Sequence, residues 1–188
     1  LIGPNGAGKT TFFNCVTGIY APTHGSVHVN IPATNKKGQA PKQIRLNGKR
    51  PDKVTDIGLA RTFQNIRLFK NMTVLENVLI GYHLRMKHGI FSALFKTPGF
   101  RREEKRAIDA AVRHLTVMGL EERLNVLAQN LSYGDQRRLE IARALATEPF
   151  LLLLDEPAAG MNPRETEALK SDIRDLQKKE DVTILLIE

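Results

Sequence analysis

Two stretches carry residue types whose spacing could do chemistry on phosphate. The first is Gly3-Pro4-Asn5-Gly6-Ala7-Gly8-Lys9-Thr10-Thr11. It meets the pattern G-x-x-x-x-G-K-[ST] at every fixed position, through Gly3, Gly8, Lys9 and Thr10. Glycines let the backbone bend so that its N–H groups face phosphate oxygens, at the positive end of the helix that follows. Lys9 would add a point charge on the β- and γ-phosphates, and the Thr10 hydroxyl would ligate Mg²⁺. The second stretch is Leu151-Leu152-Leu153-Leu154-Asp155-Glu156. Its apolar run reads as a strand buried on both faces. Its carboxylates stand at the C-terminal end, where open α/β sheets bind ligands. Asp155 would enter the Mg²⁺ shell and Glu156 would polarise an attacking water. The pair of stretches points to ATP and Mg²⁺ as cofactors and to hydrolysis as the chemistry.

These residues need elements to hold them. Leu1-Ile2 reads as the end of a buried strand, and Thr11 to Val16 as a helix stopped by Gly18. Val27, Val29 and Ile31 alternate with polar residues, which predicts a strand with one buried face. Residues 32–43 are polar and basic and read as a surface loop; Ile44 to Leu46 then enters a tight turn at Asn47-Gly48. Ile57 to Phe63 is predicted as a core strand, with Gln64 at its exit. Thr73 and Glu76 fit a capping box before the apolar stripe Val74, Leu75, Val78 and Leu79. The stretch Ile90 to Phe100 is apolar and aromatic, with Pro98-Gly99 as a breaker. Arg101 to Met118 is predicted as an amphipathic helix through Ile108, Ala111, Val112 and Leu115, ended by Gly119. Ser132 is placed as the N-cap of a helix running to Thr147, and Asn162-Pro163 as the start of another. Val182 to Ile187 is predicted as a last buried strand. Strands and helices that alternate in this way argue for an α/β fold with a mostly parallel sheet covered by helices.

Composition narrows the class. A chain of 188 residues suffices for one domain with a core, or a core plus a subdomain. No run of about eighteen apolar residues occurs, so no spanning helix is predicted. The single Cys15 excludes an internal disulfide and a cysteine-based zinc cluster, and fits a reducing, cytosolic setting. The net charge of +8 suits nucleic acid, anionic lipid, a polyanionic nucleotide or simply a solvated basic surface. The basic runs at Lys36 to Lys53 and Arg101 to Arg106 lack interleaved aromatics that could stack bases. The chain starts inside a motif, with no initiator Met and no leader, and is expected to be a piece of a longer protein.

A third stretch gives a family resemblance. Leu131-Ser132-Tyr133-Gly134-Asp135-Gln136 is similar to the signature motif of ATP-binding-cassette (ABC) ATPases, with Tyr133 where Gly is commonest. By itself it is a capped helix, whose Ser132 hydroxyl and first amides make an anion site. The resemblance implies that this site binds the γ-phosphate held by a second subunit. It further implies that Gln64, after Arg61-Thr62-Phe63, is the glutamine that senses Mg²⁺ and water and abuts membrane subunits. Gln64 and Glu156 are thus the expected catalytic residues, and Thr10, Asp155 and Gln64 the expected metal group. Asn162, in Gly160-Met161-Asn162-Pro163, stands where the family usually has Asp. The family's switch histidine and adenine-stacking aromatic are expected beyond Glu188 and before Leu1. None of His24, His28, His83, His88 and His114 takes that histidine's place. Residues 1–188 alone are therefore expected to bind nucleotide weakly and hydrolyse little.

The implied fold is a phosphate-loop NTPase core, 1–64 and 131–188, with a small antiparallel β part and an α-helical subdomain over 65–130. The whole forms one cassette domain. The segments Arg61 to Phe69, Phe95 to Arg102 and Asp155 to Pro163 resemble the larger ATPase of branched-chain amino-acid importers. Relatives that serve urea or small amides are the alternative. A soluble cassette acting on nucleic acid is another, although no coiled-coil or cysteine-rich insert lies between Gln64 and Ser132. The implied partners are a second ATPase subunit, membrane permease subunits and, indirectly, an extracytoplasmic solute-binding protein. No nucleic acid is expected. The implied location is peripheral, on the cytoplasmic face of the membrane. Ile66, Leu68, Phe69, Phe91, Leu94 and Phe95 are the residues expected to dock the permease.

Overall fold

The computed structural model describes residues 1–4, 6–32, 41–82 and 98–188. Asn5, most of the expected loop at 32–43, the stretch 90–97, His83, His88, Phe91, Leu94 and Phe95 therefore lie outside the described residues.

A parallel sheet carries the site. Its strands are β3 (Leu59–Arg61), β4 (Leu151–Asp155) and β5 (Thr183–Ile187), in the order β3-β4-β5. β4 is central, and Leu152, Leu153 and Leu154 are all fully buried, as the leucine run predicts. β5 is less buried than expected. Of its residues only Ile187 is closed off from solvent, because β5 forms the edge of this sheet. Leu1 and Ile2 are not in a strand, contrary to expectation, and are 52% and 86% exposed. Only Leu1 bonds beside β5, through its N-terminus to Leu186 O at 2.6 Å and its carbonyl to Glu188 N at 3.3 Å.

α1 (Lys9–Val16) follows the phosphate loop directly. Its Phe13 and Val16 pack with Leu46, Val54, Leu59, Leu153 and Ile187, which seats α1 on one face of the sheet. β1 (His28–Ile31) and β2 (Lys42–Arg45) form a small antiparallel pair. β2 begins two residues before the predicted strand, inside the expected loop. The predicted strand over Ile57 to Phe63 divides. Pro51–Ile57 is a helix, α2, with Pro51 at its start and Gly58 at its end at φ 110. Only Leu59–Arg61 pairs as strand, with the Thr62 amide continuing to Leu153 O.

The helical region contains α3 (Val74–Tyr82) and α4 (Pro98–Val117), and α5 (Tyr133–Leu145) follows it. The capping box forms: the Thr73 amide donates to Glu76 Oε2 at 2.8 Å, and the Glu76 amide to Thr73 Oγ1 at 3.2 Å. Pro98-Gly99 does not break the chain but opens α4, where a missing N–H has no helical acceptor to lose. Ile108 is exposed, and α4 instead buries Ala107, Ala110, Ala111 and Leu115. α6 (Pro163–Lys179) carries a full capping box between Asn162 and Glu165. Apolar side chains of α3, α4, α5, α6 and β4 share one cluster, so the helical region is anchored to the sheet.

Candidate functional site

The phosphate loop adopts the shape its glycines permit. Gly6 and Gly8 sit at φ 84 and 81, left-handed positions that a side chain would strain. Lys9 folds over its own loop, its ammonium bonding the Gly3 and Pro4 carbonyls. No acidic residue stands in the first turn of α1. Its free amides and helix dipole therefore present positive potential. A cavity of about 290 Å³ opens there, lined by Pro4, Gly6, Ala7, Gly8, Lys9, Thr10, Thr11 and Glu156. Both chemistry-bearing stretches thus meet in one space.

Glu156 reaches that space through an unusual backbone. Its φ is 45, a left-handed value that costs a non-glycine residue about 1–3 kcal/mol. The turn is fixed by the Glu156 amide, which donates to Ile187 O at 3.1 Å. Gln64 Nε2 donates to Glu156 Oε2 at 3.1 Å. The two residues expected to be catalytic therefore touch, although they are 92 positions apart.

Asp155 faces elsewhere. Its Oδ2 accepts from Arg61 Nη2 at 2.6 Å, and both side chains are nearly closed to solvent. Arg61 Nη1 also donates to Asn14 Oδ1 at 2.6 Å and Thr17 Oγ1 at 3.3 Å, both at the end of α1. The guanidinium lies between the Phe13 and Phe63 rings, 5.5 Å from each centre. Asp155 Oδ1 is buried and has no hydrogen-bond partner among the described residues. Its orphaned oxygen is a hard donor of the kind Mg²⁺ takes, but Asp155 does not line the phosphate-loop cavity. Of the expected metal group Thr10, Asp155 and Gln64, Thr10 alone lines that cavity. Arg61 escaped the sequence reading. The cue was a charged residue in a buried strand, which requires a buried partner.

Residues 131–136 gather on a separate surface. Ser132 caps α5, accepting from the Asp135 amide at 3.2 Å and donating to Asp135 Oδ2 at 2.8 Å. Asp135 is held further by Arg123 at 2.6 Å and Arg138 at 3.1 Å. Gln136 Nε2 donates to the carbonyl of buried Leu131 at 3.0 Å. Tyr133 is exposed and donates to Ala159 O at 3.1 Å, its ring lying against Gly160. Gly134 is packed on Met161 and Glu165. None of these residues lines the phosphate-loop cavity.

One turn further along α5, Arg137 is fully buried. Its Nη1 donates to Phe63 O at 2.7 Å and its Nη2 to Gln64 O at 2.7 Å. Nη1 also pairs with Glu140 Oε2 at 2.8 Å. Glu140 Oε1 accepts from the Arg67 amide at 3.4 Å. Burial raises the Glu140 pKa above the usual carboxylate value, and Arg137 opposes that rise. This pair was also missed by sequence reading.

The ABC transporter family profile matches residues 1–159. The high-affinity branched-chain amino acid transport ATP-binding protein LivG of Escherichia coli is 50% identical over 188 residues, covering all of this chain and 69% of that protein. The structure is similar to the ADP conformation of an ATP-binding cassette of an ABC transporter. The TM-score is 0.75 and the identity 32%, over all of this chain and 68% of that one. It is similar also to a cassette solved as a dimer in a post-hydrolysis state with ADP and Pi. There the TM-score is 0.70 and the identity 26%, over 99% of this chain and 72% of that one.

Proposed function

The chain belongs to the ABC transporter family of ATP-hydrolysing cassettes, and we propose that it powers uptake of branched-chain amino acids through partner permease subunits. The observation that carries the mechanism is the single cavity shared by the phosphate loop and Glu156. ATP would place its β- and γ-phosphates against the loop amides, with Lys9 turning from its own carbonyls to the phosphate oxygens. Mg²⁺, held by Thr10 and through its shell by Asp155, would neutralise charge on those phosphates. Glu156 would accept a proton from the attacking water, and Gln64 would orient both. Ser132, Gly134 and the first amides of α5 would meet the γ-phosphate of a second ATPase subunit.

The permease contact is assigned to a cavity of about 560 Å³ beside Gln64, lined by Phe63, Arg67, Phe69, Ile80 and Arg143 among others. Phe69 is 49% exposed there. It is the member of the expected docking set that offers most apolar surface among the described residues. Leu68 packs on the core, and Ile66 is half-buried. No helix among the described residues is long and apolar enough to cross a membrane. The proposed location is peripheral, on the cytoplasmic face, with a solute-binding protein acting on the far side.

The test is uptake of labelled leucine by vesicles holding the full-length subunit with its permease partners. Glu156→Gln should keep ATP binding and lower hydrolysis and uptake by about 10²–10⁴-fold, because an amide accepts no proton. Wild-type hydrolysis by that variant would remove Glu156 from its role. ATP-driven uptake of urea in place of leucine would reassign the solute.

A further inference from the structure

We propose that Arg137, with Glu140, is a positioning residue for ATP hydrolysis: it clamps the backbone on both sides of Gln64 and so aims the Gln64 side chain at Glu156. The inference rests on the function proposed above, and names a residue outside the three expected site stretches.

The geometry is specific to this task. An arginine with no solvent exposure is costly to bury unless its charge is paired. Besides its bond to Glu140, Arg137 gives both terminal nitrogens to consecutive carbonyls, Phe63 and Gln64. Those carbonyls belong to the segment that leaves β3, which has no sheet partner beyond Thr62 among the described residues. Glu140 takes the charge of Arg137 and reaches the Arg67 amide, so the pair grips the segment before and after the bend. Arg67 closes the far side, its guanidinium 4.5 Å from the centre of the Phe63 ring. Gln64 itself is exposed and, among the described residues, makes one side-chain bond, to Glu156 Oε2. An exposed side chain on an unpaired segment loses its aim unless the backbone is held. Arg137 supplies that hold from the helix that Ser132 caps. The catalytic glutamine is thereby carried by the same rigid element that presents the anion site.

The experiment separates positioning from folding. The full-length subunit is assembled with its partners, and four variants are compared with wild type: Arg137→Met, Gln64→Ala, their combination, and Arg137→Met with Glu140→Met. Arg137→Met should lower kcat at saturating ATP by about 10-fold or more with little change in KM for ATP. It should also lower the unfolding midpoint, since Glu140 is left buried without the charge of Arg137. Replacing both members by methionine should restore the midpoint, because apolar isosteres remove the buried charges together. It should not restore kcat. Arg137→Met should cost little further in the Gln64→Ala background, because the clamp acts through that side chain. Recovery of kcat in the double methionine variant, or full multiplicative losses with Gln64→Ala, would overturn the proposal. A wild-type kcat in Gln64→Ala would instead overturn the role given to Gln64, and with it the reading on which the clamp depends.

Discussion

At the scale of single residues, the site is built from side chains that hold one another before any ligand is bound. Asp155 and Arg61 are the clearest case, a pair with side chains 2% and 7% exposed that also ties β4 to α1 through Asn14 and Thr17. Removing one partner of such a pair leaves a bare charge in the interior and costs about 3–5 kcal/mol. Arg61→Met should therefore lower the denaturant midpoint strongly, and Arg61→Met with Asp155→Leu should recover most of it. A single variant as stable as wild type would mean that the pair is relaxed by solvent. The residues legible in the sequence were those with a pattern: Lys9 and Thr10 by their spacing from Gly3, and Asp155 and Glu156 by the leucine run before them. Arg61, Arg137 and Glu140 follow no short pattern. Arg137 and Glu140 pair locally, but the groups that Arg61 and these two hold lie 94, 74 and 73 positions away, and only the fold brings those together.

Among the elements, contacts between neighbours explain both what the sequence reading found and what it missed. The capping box at Thr73 and the helix cap at Asn162 were legible because their bonds are local. The split of Ile57 to Phe63 into a helix end and a short strand was not, since an apolar run fits either period. α3 and α5 meet backbone to backbone at Gly81. A Cβ there would lie 2.6 Å from Arg143 O and 2.8 Å from Ala146 Cβ. Gly81→Ala should thus destabilise by about 1–3 kcal/mol despite its better helix propensity, as urea unfolding would measure. A gain in stability would show that the helices separate freely. On α4, His114 is buried beside Tyr82, whose ring stacks at 6.2 Å, and Nδ1 lies 3.4 Å from Glu180 Oε1. Burial holds its pKa below the ordinary 6.5, with Arg113 adding to the fall and Glu180 and Glu148 opposing it. A lowered value favours the neutral ring in the folded state. Its contribution is present above the ordinary value and is lost as pH falls below it towards the folded value. Wild type should lose more Tm than His114→Asn between about pH 7.5 and about pH 5.5. Parallel losses in the two proteins would place the acid sensitivity elsewhere.

The whole molecule sets the expected site residues on two separate surfaces, and the proposed function depends on that division. One surface is the cavity of the phosphate loop and Glu156. The other is the start of α5, where Ser132 and Tyr133 are exposed and the turn at Ala159-Gly160 packs against Tyr133. No residue from 131 to 136 reaches the first surface within the chain. On the function proposed above, the start of α5 would act on a γ-phosphate that another subunit brings; a related cassette is solved as a dimer with ADP and Pi. In a symmetric dimer each site takes its loop from one copy and its anion site from the other. Two defective variants of the full-length subunit make this testable. Lys9→Ala removes the charge on the phosphates, and loss of one such preorganised contact costs about 3–4 kcal/mol of transition-state stabilisation. Ser132→Arg fills the anion site with a bulky side chain at the N-cap. In a homodimer of either variant, both sites would be damaged. A mixed dimer has one site carrying both defects and one site carrying neither. Equal mixing should therefore restore roughly a quarter of the wild-type sites, since about half of the dimers are mixed and each regains one site of two. Turnover that stays at the level of the separate variants, in mixtures shown by mass to contain mixed dimers, would mean that the loop and the α5 anion site serve the same chain.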